Sequence, residues 1–136
     1  MEENMSDQEV IKLIPSIYEG GSTYYPEFTP DLYKLLKVEF PDIKVELSED
    51  VPTISIHDAD VILPLLEIGG SIITNIGAGM LANFLTEYIR SKTRKGEEGT
   101  TVCELRIKVD GEDKEIQYKG PVSGLGKLND VLSELK

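Results

Sequence analysis

The chain of 136 residues contains one cysteine, one histidine and no tryptophan. Cys103 alone cannot form an intrachain disulfide, and a zinc cage of thiolates is excluded, so a reducing compartment fits best. A nucleophilic thiol paired with an imidazole would have to be Cys103 with His57. Positive charge is scarce as well: 14 Lys and Arg against 25 Asp and Glu leave a net charge of −11 at pH 7. Residues 1–60 carry 14 acidic and 4 basic side chains and residues 61–136 carry 11 and 10, so the excess lies in the first half. An acidic field repels phosphate backbones, which argues against nucleic acid as a partner and reads instead as solubility. A secretion signal would begin basic and continue apolar, whereas MEENMSDQE begins acidic. The expected location is cytoplasmic.

What is present suffices for a core. Apolar residues make up 40% of the chain, far from the composition of disordered segments. This length suits a single domain, residues 1–136, that buries roughly two thirds of its unfolded surface.

Local patterns then suggest elements. Ser6 and Glu9 have capping-box spacing for a helix that Pro15 would limit, although EVIKLI reads equally well as a strand. The segment SIYEGGSTYYPEFTP reads as an irregular loop, whose Tyr18, Tyr24, Tyr25 and Phe28 either tie it to the core or form a recognition surface. Thr29 as a cap and Pro30 in the first turn open a helix carrying Leu32, Leu35 and Leu36, and Pro41 stops it. Ile43, Val45 and Leu47 alternate with polar residues as a half-buried strand does, and TISIH, residues 53–57, follows as a second strand. Asp60 stands where it would cap a helix beginning in VILPLLEI. Cys103, Leu105, Ile107 and Val109 alternate toward the dipeptide Asp110-Gly111, which suits a two-residue hairpin turn. That turn pairs Val109 with Glu112, Leu105 with Ile116 and Cys103 with Tyr118. A closing helix would place Leu125, Leu128, Leu132 and Leu135 on one stripe.

Residues 68–86 contain no charge, and three readings compete for them. Gly77, Gly79 and Ala82 match the dinucleotide pattern G-x-G-x-x-A, but no acidic residue closes a following strand about 20 residues on. A run of 19 uncharged residues is close to the ~20 that cross a bilayer, and the cations of RSKTRK follow it. Against a span stand its glycines, Ser71, Thr74, Asn75 and Asn83. The favoured reading is a buried helix, or two broken near Gly69 and Gly70. Ile73, Ile76, Met80, Phe84 and Tyr88 would form one apolar stripe and Leu81, Leu85 and Ile89 another. Glycines on such a helix let a neighbouring helix or a second subunit approach closely.

Catalytic chemistry finds little support. His57, Asp58 and Asp60 in HDAD are the nearest thing to an acid-base or metal cluster, and aspartates there more simply cap the next element. Cys103 falls on the apolar face of a strand, the place of a small core residue. Asp110, Glu112 and Asp113 are too few and too near a tight turn to hold calcium.

The order of elements resembles the small constant components associated with effectors in prokaryotic conflict systems. The resemblance rests on DLYKLLKVEF, then ADVILPLLEIGGSIITNIGAGMLANFLTEYIRSK, then VCELRIKVDGEDKEIQYKG and GKLNDVLSELK, spanning roughly residues 30–136. It implies a non-enzymatic adaptor or regulatory partner of an effector enzyme, with no catalytic residues to carry over.

The expected fold is therefore α+β: a mainly antiparallel sheet of about four strands packed against two or three helices, one of them long and glycine-containing. The expected function is protein binding without catalysis, with self-association through the glycine-bearing segment and no cofactor or metal. Tyr24, Tyr25, Gly70, Gly77, Arg90, Lys92, Arg94 and Lys95 are the candidate partner-binding residues. A membrane-active or membrane-anchored protein using residues 68–86 is the alternative, and an enzyme using His57 with Asp58 or Asp60 the third.

Overall fold

A computed structural model describes residues 10–55, 60–69, 77–109 and 114–133. It contains two sheets. The larger has five strands in the order β4-β1-β6-β7-β8: Lys44–Leu47, Val10–Ile14, Val61–Ile68, Val102–Val109 and Lys114–Pro121. The smaller has three strands in the order β2-β3-β5: Ile17–Glu19, Ser22–Pro26 and Thr53–Ile54. The α+β expectation holds, but the large sheet is mixed rather than mainly antiparallel. β1 runs parallel to β4 and β6 parallel to β7, while β1–β6 and β7–β8 are antiparallel. Parallel neighbours require a long crossover. Helix α1, Thr29–Glu39, lies in the first crossover and helix α2, Ala78–Ser91, in the second.

EVIKLI resolves as strand over its described residues. Ile11 and Leu13 point into the core and Lys12 to the other face, and β1 is paired on both sides. The segment VILPLLEI is likewise the strand β6, so Asp60 caps no helix there. Its nearly continuous apolar run reflects a central position between β1 and β7, where both faces are largely covered. Pro64 has no amide to contribute to a ladder. It sits where the register with β7 shifts between Ile62 and Leu65, and pairing with β1 extends only from Leu65 to Ile68.

Two turns differ from expectation. The supposed loop 16–30 contains the hairpin β2–β3, turned by Gly20 at φ 57° and Gly21 at φ 84°. Two consecutive positive φ angles make the mirror-image turn that suits strand twist, and glycine adopts both without a Cβ clash. In the β7–β8 hairpin, Leu105 pairs with Tyr118, Ile107 with Ile116 and Val109 with Lys114. The register is displaced by two residues from that of a tight Asp-Gly turn, leaving residues 110–113 as the connection. A displacement of two preserves the face of every side chain, so the apolar alternation is unaffected.

Helix α1 begins after Phe28 with a proline in its first turn, but Thr29 does not cap it. The threonine hydroxyl is buried and finds no hydrogen-bond partner among the described residues. Leu32 and Leu36 are buried and Leu35 is exposed. Helix α2 buries Leu81, Leu85 and Ile89, whereas Met80 is 58% exposed. The second stripe is also largely covered, with Tyr88 buried and Phe84 packed against the core, so that of its described residues only Met80 faces out. The long uncharged helix does not form as expected: Ile68 closes β6, and α2 begins after Gly77. Gly70, Ile73 and Ile76 lie outside the described residues. No described helix is long and apolar enough to cross a membrane. Val122–Lys127 forms a 3-10 turn and Leu128–Ser133 the helix α3, which bury Leu125, Leu128 and Leu132 as the leucine spacing implied.

The buried side chains of the large sheet, the helices and the 3-10 turn form one core cluster. The opposite face of the sheet mixes half-buried apolar residues, Val10, Ile14, Ile62 and Leu65, with a row of charges. Across all five strands, Glu46, Lys12, Glu67, Lys108 and Glu115 stand in register, alternating in sign. Opposite charges on neighbouring strands favour this register over a slipped one.

Candidate functional site

The outer side of α2 carries the small residues Gly79 and Asn83 beside Met80, Glu87 and Arg90. Gly79, Asn83, Thr86 and Arg90 follow one another at intervals of three or four, which places them on one helix face. With Met80, Ala82, Leu125 and Gly126 they line an open groove of about 480 Å³ between α2 and the 3-10 turn. The groove has an apolar, low floor and a single lining charge, Arg90 in the last turn of α2, where a cation is favoured by the helix dipole. Arg94 and Lys95 are exposed just beyond the helix end. The one charge lining the groove is thus positive in a chain that is acidic overall.

Lys92 is engaged within the molecule. Its Nζ lies 2.8 Å from Asp31 Oδ2, 5.3 Å from the centre of the Tyr88 ring and 5.6 Å from that of Phe28. The Tyr88 hydroxyl lies 3.2 Å from both Asp31 Oδ2 and the Phe28 carbonyl and has one proton to donate between them. Together these groups tie the end of α2 to the start of α1. The Lys92 hydrogen bond holds the Asp31 carboxyl below its ordinary range. Burial, reinforced by the Asp31 charge, pushes the Tyr88 phenol well above its own.

The two candidate tyrosines separate. Tyr25 is 2% exposed. Its hydroxyl donates to the Glu49 carbonyl at 2.8 Å and accepts from the Glu49 amide at 3.0 Å, pinning the hairpin to the chain beyond β4. Tyr24 is half-buried and borders, with the 73% exposed Tyr18, a shallow surface hollow against Val51 and Pro52. Tyr18 is the aromatic most available to a partner, and recognising Gly20-Gly21 as a hairpin turn was the signal that could have found it.

The catalytic alternatives meet specific obstacles. His57 and Asp58 lie outside the described residues. Asp60 is half-buried and borders, with Glu27, Phe28, Ile54 and Ile62, a hollow of about 10 Å³, room for roughly one water. Glu27 accepts a hydrogen bond from Ser55. Among the described residues no cluster of His, Cys, Asp and Glu could hold a metal ion. Cys103 is fully buried, and burial pushes its thiol up to about 11, the opposite of what activates a nucleophile.

Gly77, at φ 89°, does precede a helix that lies between parallel strands, the setting the G-x-G-x-x-A pattern needs. A phosphate-binding turn follows its strand closely, however, whereas residues 69–76 separate β6 from Gly77.

Compared with family models, with curated proteins and with solved structures, the chain matches none.

Proposed function

We propose that this protein is a non-enzymatic binding module of the cytoplasm that self-associates and presents the outer side of α2 to a helix of a protein partner. The groove along Gly79, Asn83 and Thr86 carries the reading. Small side chains let a second helix approach closely, and an apolar floor supplies the contact area. Arg90, Arg94 and Lys95 select for a partner helix with acidic residues at the matching end. The resemblance of the element order to effector-associated components makes an effector enzyme the natural candidate.

The test is a photo-reactive residue at Asn83 of the full-length chain in its native host. A protein adduct formed there, absent from a probe at Lys34 on α1 and lost with Arg90→Glu, is expected. Coupling to lipid would favour insertion into a membrane instead. Equal coupling at both positions would overturn the assignment of the groove.

A further inference from the structure

The two edges of the large sheet are unequal. β4 is short, Lys44–Leu47, and β8 is twice as long, Lys114–Pro121. Every residue of β8 pairs with β7 in unbroken register, and no described strand pairs with its other side. Among the described residues, the segment that follows β8 does not run along that side either. The amides of Val122 and Ser123 bond to the carbonyls of Thr101 and Glu98, which draws the backbone across the start of β7. Long edges are normally blunted by a bulge, an internal proline or a charge pointing inward. β8 has no bulge, and its proline stands only at its end. Of the positions on its core side, Ile116, Tyr118 and Gly120 carry no charge, and the one lysine among them, Lys114 opposite Val109, stands at the first residue of the strand. Beside Ile116 and Tyr118, under Leu128 and Val131, lies an apolar slot of about 60 Å³.

The sequence of β8 is complementary to itself. When two copies run antiparallel with Gln117 opposite Gln117, Ile116 faces Tyr118 of the partner and Glu115 faces Lys119 of the partner, each twice by symmetry. Apolar residues meet on the core face and opposite charges on the other face. The alternating row Glu46, Lys12, Glu67, Lys108, Glu115 then continues without a break into Lys119 and Glu104 of the partner, which are themselves in register. A one-residue slip would put apolar side chains opposite charged ones, and a two-residue slip, which keeps the faces, would separate Glu115 from Lys119 of the partner, so both features favour this register.

We infer that two copies of the chain pair through their β8 edges, antiparallel and centred on Gln117, to form one continuous ten-stranded sheet around a two-fold axis. The inference rests on the self-association proposed above and moves it from the glycine-bearing segment to the sheet edge. The groove on α2 stays free for a different protein.

Light scattering of the full chain is expected to give twice the 15.1 kDa monomer mass. Gln117→Cys should form a disulfide-linked dimer under mild oxidation, since a residue opposite itself brings its Cβ atoms within about 5.5 Å. Glu115→Cys alone should not, and mixing it with Lys119→Cys should. Lys119→Glu should weaken association at least tenfold, and adding Glu115→Lys should restore it, with melting followed to confirm that each variant folds. A dimer in which Gln117→Cys does not link would overturn the β8 interface while leaving self-association standing. A monomer at all concentrations would overturn both, as would an edge filled by an extended peptide of another protein.

Discussion

Helices α1 and α2 do the same structural work with different outer faces. Each lies in a crossover between parallel neighbours, and each buries leucines at helical spacing: Leu32 and Leu36 in α1, Leu81 and Leu85 in α2. On its exposed side α1 carries Lys34, Leu35, Lys37 and Val38, with Val38 75% exposed. On its exposed side α2 carries Gly79, Met80, Asn83 and Glu87. Packing alone does not require small residues at solvent positions, where good helix formers would stabilise more. The difference makes the outer side of α2 the place where the proposed contact can be tested against stability.

The largest effects should show the two helices to be equals. Leu36→Ala and Leu85→Ala each truncate a fully buried side chain and should cost about 2–5 kcal/mol, read from the midpoint of denaturant unfolding. A loss near zero at either position would mean that the helix is not part of the common core.

Next comes a contrast within α2. Gly77 holds φ 89°, where a Cβ is strained, so Gly77→Ala should destabilise by about 1–3 kcal/mol. Gly79 is helical and exposed, so Gly79→Ala should stabilise by about 0.5–1 kcal/mol while raising the groove floor. Weaker coupling of the Asn83 probe in a more stable protein would separate binding from folding at one position. Unchanged coupling would take Gly79 out of the interface.

The smallest effect concerns the tie between the helices. The Asp31–Lys92 pair is partly exposed and should contribute about 0–1 kcal/mol. Because the Asp31 carboxyl is held below its unfolded value, that contribution is present above the unfolded value and fades as pH falls through the folded one. Asp31→Asn should therefore be less stable than the parent at pH 7 and close to it near pH 2, by thermal melting. A difference that persists unchanged at low pH would assign the effect to packing rather than charge.

The elements legible in the sequence were those with local punctuation. Pro30 and Pro41 bracket α1, and the alternation from Cys103 to Val109 placed β7 with its faces correct. β6 was not legible because its neighbours are distant: a short apolar run with a proline reads as either element until β1 and β7 are known to flank it. The hairpin register slipped by two because alternation fixes a face but cannot count the residues of a turn. Of the candidate site, Arg90, Arg94 and Lys95 are exposed as the basic run suggested, whereas Lys92 and Tyr25 are occupied internally. Their partners, Asp31 and Glu49, are remote in sequence, and no local pattern announces them.

The solitary thiol of Cys103 has a practical consequence. It lies fully buried on β7, one strand in from the free edge, with no second cysteine to compete for reagent. A thiol-modifying dye can reach it only when the packing around β7 opens, so the labelling rate times that opening event. The protein thus carries its own clock for the opening of its core beside β7.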